Sequence, residues 1–396
     1  MTLPRASPVF DNAQSKKSNP PTRKGTLMPR KLSLALLVAA SAITAAPVQA
    51  KELRYNLFDV PRSSTYQVID AFFKDLKAET KGSLTGRVFP GGQLLNLTAT
   101  LKGIGDGVVD AGFTGTSFNQ GELKNSNVLS DLLPFVTNSY VAAAAAAETT
   151  VLDCEQCLTE FKAAKVVWLG SFGPDPWHMM CREPVTKRAD LEGRKIRVTG
   201  ASPTRLIRAL GGVPVQLRPS EIATALQGGQ IDCACGPLTW LDDYKLVDNV
   251  KTVIEPAFGV YAGLGMFVFN TRTFAAFTPD QRKALMKTIP ESIVSGTKLH
   301  LDSAQNARKI ARDRGVTFWQ ADAEFKAREQ KFRDGEVANL IDDMRKRGVA
   351  DPEKPIKVHL ANIEKWEKKL AELGNDPDKL VETLRSEVFA KSALAK

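Results

Sequence analysis

Apolar and polar residues along the chain follow two spacings. Leu53, Tyr55 and Leu57 alternate with polar neighbours, which predicts a strand, and Val68, Ile69, Phe72, Phe73 and Leu76 follow at helical spacing. Short strand-like runs return at Val166–Leu169, Ile196–Val198, Ile231–Cys233 and Met266–Phe269, with amphipathic stretches between them. Strands alternating with helices predict an α/β fold in which helices cover a mostly parallel sheet.

Several helix ends are signalled directly. Ser202 before Pro203 reads as a cap and first helical residue, with Leu206, Ile207 and Leu210 turned inward and Gly211 as the stop. Ser220 is expected to cap the next helix, ending at Gly228, and Thr278-Pro279-Asp280-Gln281 fits a capping box. From Glu291 to Arg314 there is no proline, and Gly315 follows as a stop. Such a helix is roughly 36 Å long at ~1.5 Å per residue, enough to cross between two lobes; a core helix within one lobe is the plainer reading. Ile356, Leu360, Ile363 and Leu370 mark a further helix, and a last one is expected from Asp378 to Lys391. The stretches "LKGIGDGVVDAG" (101–112) and "LQGGQIDCACG" (226–236) share a helix ending in glycine, an apolar residue with Asp, and a short strand opening into a loop. Two similar α/β lobes with a cleft between them account for that echo.

At 396 residues the chain is long enough for two lobes, and 43% hydrophobic with 25% charged residues is ordinary for a globular protein. A net charge of +10 points to nucleic acid until it is divided along the chain. Residues 1–50 hold seven Lys/Arg and one Asp, and only +4 is left for the rest. That residue of charge is too small and scattered for a nucleic-acid partner. Within the same fifty residues, Met28-Pro29-Arg30-Lys31 forms a basic n-region and "LSLALLVAASAITAA" an apolar h-region, with small residues at Val48 and Ala50. This is the pattern of a signal peptide over 28–50, cleaved after Ala50, so a periplasmic chain starting at Lys51 is expected. Residues 1–27, rich in Ser, Pro, Lys and Asn, are then expected to be an over-called start, with Met28 as the expected initiator.

Export bears on the five cysteines, Cys154, Cys157, Cys181, Cys233 and Cys235. In an oxidising compartment the Cys154/Cys157 pair of "DCEQC" reads as a local disulfide, and the odd count leaves at least one thiol unpaired. A zinc site from Cys154, Cys157, Cys233 and Cys235 is the alternative, but the one-residue spacing of "CAC" suits a tetrahedral ion poorly. No metal and no cofactor are expected.

Within "ADLEGRKIRVTG" (189–200), alternation puts Ile196 and Val198 on one face and Lys195 and Arg197 on the other. With the apolar face on the core, Arg197 points outward near the carboxyl end of a strand, where open α/β sheets bind ligands. The helix opening at Ser202 brings its N-terminus nearby, and a guanidinium with a helix N-terminus favours an anion. An arginine in a surface ion pair is the competing reading.

"DLEGRKIRVTG" followed by "LGGVPVQLRPSEIATALQGGQID", with "VFPGGQLL" (88–95) and "GIGDGVVDAGF" (103–113) upstream, resembles the solute-binding proteins of tripartite ATP-independent periplasmic (TRAP) transporters, DctP type. The resemblance covers roughly Leu53 to Val349. It implies a two-lobed, type II-like binding protein with a central ligand cleft and a long interlobe helix. One lobe is expected from 51–175 with 262–300, the other from 176–261 with 301–350, and C-terminal helices from 351–396. It also implies capture of a small organic acid and delivery to membrane permease subunits driven by an ion gradient, with Arg197 at the position that clamps the substrate carboxylate. Thr116, Phe118, Trp177, Gly236 and Trp240 are expected beside it, and the receptor is expected to be a monomer.

The departures narrow the ligand. Many relatives carry a second arginine before the "DLxG" segment, where this chain has "GPDPWHMMCREPV" with Trp177 near that place. Dicarboxylate binders often read Asp-Gly-Gln-Glu-Asn-Pro where this chain has "DCACGP", so Cys235 and Gly236 stand in place of Glu and Asn. A monocarboxylate, as a hydroxy, keto or aromatic acid, is therefore expected. The alternatives are an exported enzyme or a ligand sensor on the same fold. Against an enzyme, the chain has three histidines and no G-x-S-x-G, H-E-x-x-H or G-x-x-x-x-G-K-[ST], and His178 and Cys181 fall on opposite faces of an extended segment.

Overall fold

The computed structural model of the protein describes residues 19–21 and 50–395. The expected signal peptide lies, but for Ala50, outside the described residues. Among the described residues no helix is long and apolar enough to cross a membrane.

Among the described residues eleven strands form two sheets: β1 (Lys51–Asn56), β2 (Leu84–Phe89), β3 (Ala111–Gly115), β4 (Val166–Trp168), β5 (Trp177–Cys181), β6 (Lys195–Val198), β7 (Val213–Gln216), β8 (Cys233–Pro237), β9 (Thr252–Glu255), β10 (Leu264–Asn270) and β11 (Thr317–Gln320). One sheet runs β2-β1-β3-β10-β4 and the other β11-β9-β5-β8-β6-β7. The sheets are mixed rather than mostly parallel. In the first, β10 runs antiparallel to β3 and β4; in the second, β5 runs antiparallel to β8 and β9. The chain passes from one sheet to the other into β5, β10 and β11, and β5 and β10 are the two of these reached without an intervening helix. A strand that arrives by a direct crossing, without a covering helix to turn it around, inserts against its neighbours' direction.

The alternation of β1 buries Leu53, Tyr55 and Leu57, and the helix Ser64–Glu79 buries Val68, Ile69, Phe72, Phe73 and Leu76 against them. Beneath the second sheet, Ile196, Leu206, Ile207 and Cys233 belong to a separate core. The echo noted in sequence has a structural counterpart. Helix Leu97–Asp106 leads into β3, and helix Ile222–Gln227 leads into β8. Each of these strands has one parallel neighbour, β1 or β6, and one antiparallel neighbour, β10 or β5.

The long helix starts earlier than its proline-free stretch, running Pro279–Asp313 with Pro290 inside it. Thr278 and Gln281 make the expected capping box. Pro290 has no N–H to give, yet burial of Ile289, Ile293 and Gly296 along the packed face holds the helix through that lost bond. At its start Gln281 Nε2 donates to the Ser83 carbonyl of the five-stranded lobe at 3.2 Å, and near its end Arg308 pairs with Glu255 of the six-stranded lobe. It therefore spans both lobes. The helix Glu353–Glu372 returns to the five-stranded lobe, where Trp366 Nε1 donates to Glu148 at 2.7 Å.

Candidate functional site

Where the lobes face each other, a pocket of about 580 Å³ between its walls, counting the mouth, takes its lining from both. Arg197 is its one arginine. On β6, Ile196 pairs with Cys233 and turns into the core, so Arg197, paired with Ala234 on one side and Val215 on the other, turns to the opposite face. Neighbouring strands then fix the guanidinium. Nε donates to the Leu217 carbonyl at 2.9 Å and Nη1 to the Cys235 carbonyl at 3.1 Å. Nη2 has no protein partner, although the side chain is 0% exposed. Burial lowers its pKa to about 10, so it keeps its charge at neutral pH. A buried charged donor left unpaired costs about 1–3 kcal/mol or more, and an anion in the pocket removes that cost.

Aromatic rings hold the guanidinium from the side. Its carbon lies 5.1 Å from the centroid of Trp240. Gly236 does not line the pocket; a Cβ there would stand 2.1 Å from the Trp240 ring, so glycine is what lets that ring lie against β8. Trp177 stacks on Tyr261 at 5.2 Å and tilts against Trp240 at 6.4 Å. Phe118 lines the same space. Thr116 is buried behind the lining, with its hydroxyl 3.1 Å from that of Ser130. The structure thus brings Arg197, Trp177, Phe118 and Trp240 into one pocket and leaves Thr116 and Gly236 as support.

The facing wall comes from the five-stranded lobe and the long helix. Phe58, Phe113 and Phe172 follow one another at 5.4 and 6.2 Å, and His300 stacks on Phe172 at 4.2 Å. Polar contacts join the walls. Tyr244 donates to Asp59 at 2.6 Å, and Asp243 accepts from the Ser64 amide at 3.2 Å. Burial, and then the neighbouring Asp59 carboxylate, push Asp243 up to about 7.

The helix after Arg197 departs from expectation. It runs Ala201–Ala209 with Gly200 as its cap at φ 87°, a left-handed conformation that suits glycine, so Ser202 lies inside the first turn. Its N-terminus is occupied by Asp131 of the other lobe, which accepts from the Ala201 amide at 3.1 Å. That helix end is therefore spent on an interlobe contact, which leaves the guanidinium as the positive group among the described lining residues. Ser220 likewise lies within a short 3-10 turn, and Glu221 instead accepts from the Arg218 amide at 2.8 Å.

Two disulfides are present, Cys154–Cys157 and Cys181–Cys233, and Cys235 is free and buried. Burial raises the Cys235 thiol to about 12. With Cys181 bonded and Cys235 protonated, neither offers a thiolate nucleophile. Asp59, Tyr244 and His300 were not singled out in sequence. Only His300 carried a signal, a polar ring on the stripe Ile293, Thr297, Ala304 and Ala307 that the helix buries.

Comparison with known proteins places this architecture. The DctP family, described as bacterial extracellular solute-binding protein family 7, matches residues 59–340. The 2,3-diketo-L-gulonate-binding periplasmic protein YiaO of Escherichia coli is 26% identical over 293 residues, covering 72% of this chain and 87% of that one. A TRAP solute-binding protein of Rhodoferax ferrireducens, solved with copurified benzoate, superposes with a TM-score of 0.72 at 22% identity, covering 81% of this chain and 99% of that one. A marine metagenome TRAP solute-binding protein specific for aromatic acids, solved with 3-hydroxybenzoate, gives 0.69 at 21% identity over 80% and 99%. These proteins are receptors rather than enzymes. With two lobes, crossing strands, a helix spanning both and a family match over most of its length, the chain belongs to the DctP-type solute-binding proteins of TRAP transporters.

Proposed function

We propose that the protein is a periplasmic receptor that captures a small monocarboxylate through Arg197 and delivers it to ion-gradient-driven TRAP permease subunits. One observation carries this reading: Arg197 Nη2 is a buried, charged donor without a protein partner in an aromatic pocket whose described lining holds no other arginine or lysine. One guanidinium edge matches one carboxylate, and the rings favour an apolar body behind it. The benzoate and 3-hydroxybenzoate found with two fold neighbours support an aromatic acid. Family membership supports the hand-over to a permease.

Isothermal titration of the exported chain with benzoate, other monocarboxylates and dicarboxylates tests it. Hydrogen bonds to charged groups contribute about 1.5–3 kcal/mol each, so Arg197→Ala is expected to weaken the preferred monocarboxylate by roughly two to three orders of magnitude. Arg197→Lys retains charge but not the planar fork, and is expected to recover only part of the loss. Since Arg197 also braces the Leu217 and Cys235 carbonyls, thermal melting must show both variants folded. Equal monocarboxylate affinity in wild type and folded Arg197→Ala would overturn the assignment.

A further inference from the structure

A second polar group in the pocket lacks a protein partner. His300 is 4% exposed, lines the pocket and stacks on Phe172, yet neither Nδ1 nor Nε2 makes a protein hydrogen bond. The other two histidines each anchor a ring nitrogen: His178 Nδ1 lies 3.0 Å from the Pro176 carbonyl, and His359 Nδ1 lies 2.9 Å from the Thr149 hydroxyl. Beside His300, Asp175 Oδ1 is also unpartnered, 3.8 Å from Nδ1, while Asp175 Oδ2 accepts from the Leu238 amide at 2.5 Å. That separation is too long for a direct hydrogen bond. Buried polar atoms are nearly always paired, so two such groups side by side at a pocket mark where a ligand's polar atom belongs.

We infer that His300 reads a hydroxyl on the ligand, so that the receptor selects a hydroxylated monocarboxylate over its unsubstituted parent. The inference rests on Arg197 holding the carboxylate. A hydroxyl can both donate and accept, so it can meet either ring nitrogen of an imidazole. A second carboxylate fits poorly, because Asp175 backs His300 and Asp59 lines the same pocket. The two recognition points stand on different parts of the fold: Arg197 on β6 against Trp240, and His300 on the long helix against Phe172. The site therefore tests both ends of one molecule.

Titration calorimetry with benzoate, its three monohydroxy isomers and phthalate measures the selection. Wild type is expected to bind one hydroxy isomer at least tenfold more tightly than benzoate, and phthalate more weakly than either. His300→Phe keeps an aromatic ring on Phe172, and it should shrink the ratio of hydroxy-isomer to benzoate affinity from at least tenfold to under twofold, whatever its effect on benzoate itself. His300→Gln, which restores a donor and an acceptor, should recover part of that preference, and it serves as the readout if the Phe variant melts abnormally. A hydroxyl preference unchanged in both variants, or absent from wild type, overturns the inference. If Arg197→Ala abolishes benzoate binding while the His300 variants keep the preference, the monocarboxylate reading stands and this one falls. If no acid of the series binds in an Arg197-dependent way, both fall.

Discussion

β1 and β6 occupy the same place in their sheets, each running parallel to the strand that follows a glycine-ended helix, and they carry different chemistry at the matching position. In the six-stranded lobe Ile196 pairs with Cys233 and Arg197 with Ala234; in the five-stranded lobe Tyr55 pairs with Ala111 and Asn56 with Gly112. Asn56 thus holds the position that Arg197 holds opposite. Its amide is consumed internally, donating to the Leu95 carbonyl and the Thr100 hydroxyl at 2.9 Å and accepting from the Leu95 amide at 3.2 Å. Arg197 keeps one nitrogen unpaired. A repeated scaffold has therefore been divided between roles. One lobe carries the charge to which we assign the carboxylate, and the other supplies an apolar wall, beside which His300, the proposed polar reader, arrives on the long helix.

The covalent bracing follows the same division and gives the largest expected effect. Cys181–Cys233 ties β5 to β8 across 52 residues of sequence, one strand away from Arg197, whereas Cys154–Cys157 closes a separation of three. Loop-closure entropy predicts about 4 kcal/mol of stability from the first and about 2 kcal/mol from the second. Urea unfolding of Cys181→Ser/Cys233→Ser against Cys154→Ser/Cys157→Ser checks this through the midpoints. Equal losses would show that the two lobes are not braced differently.

Much of the charged wall was legible in sequence and little of the facing one was. Arg197 could be placed because strand alternation is local: Ile196 and Val198 declare the core face, and the arginine must take the other. The long helix was visible in two parts, the Thr278 capping box and a proline-free amphipathic run, but their continuity was missed because Pro290 is tolerated only through burial by neighbours distant in sequence. Ser202 failed as a cap because Asp131, seventy residues upstream in the other lobe, fills that function. His300 was unremarkable for a related reason. A histidine on an apolar helical stripe is normally a satisfied core residue, and only the crossing of the Phe172–Asp175 segment beneath it shows that both ring nitrogens lack partners.

The contact between the walls offers an intermediate effect, through pH. Burial and Asp59 raise Asp243 from 3.8 to about 7, so the folded state binds a proton that the unfolded chain releases. A raised carboxyl destabilises the fold when ionised: its unfavourable contribution is absent below about pH 4, grows as pH rises, and is complete above about pH 7. Asp243→Asn, whose amide oxygen can still accept from Ser64, should match wild type near pH 4 and exceed it at pH 8. The gain is expected on the order of 1–2 kcal/mol, discounted from the full shift because the side chain is partly exposed. Thermal melting from pH 4 to 8 measures it; a gap that shrinks as pH rises would reverse the assignment and leave the lobes joined by a simple ionised contact.

The smallest expected effect separates the walls most directly. Trp240 both lines the pocket and lies against the Arg197 guanidinium, whereas Phe172 lines the pocket without touching a guanidinium. Loss of a cation–π contact on the half-buried Trp240 ring amounts to about 1 kcal/mol, or roughly fivefold in affinity. Trp240→Leu should therefore weaken acetate and benzoate alike by about that factor, because both depend on a well-held Arg197. Phe172→Leu should weaken benzoate and leave acetate unchanged, because acetate has no ring to meet that wall. Titrating the two acids into the two variants gives four affinities. If Trp240→Leu spares acetate, Trp240 is only a wall, and Arg197 is held by its two carbonyl acceptors alone; if Phe172→Leu weakens acetate, the facing wall takes part in reading the carboxylate and the division between the lobes fails.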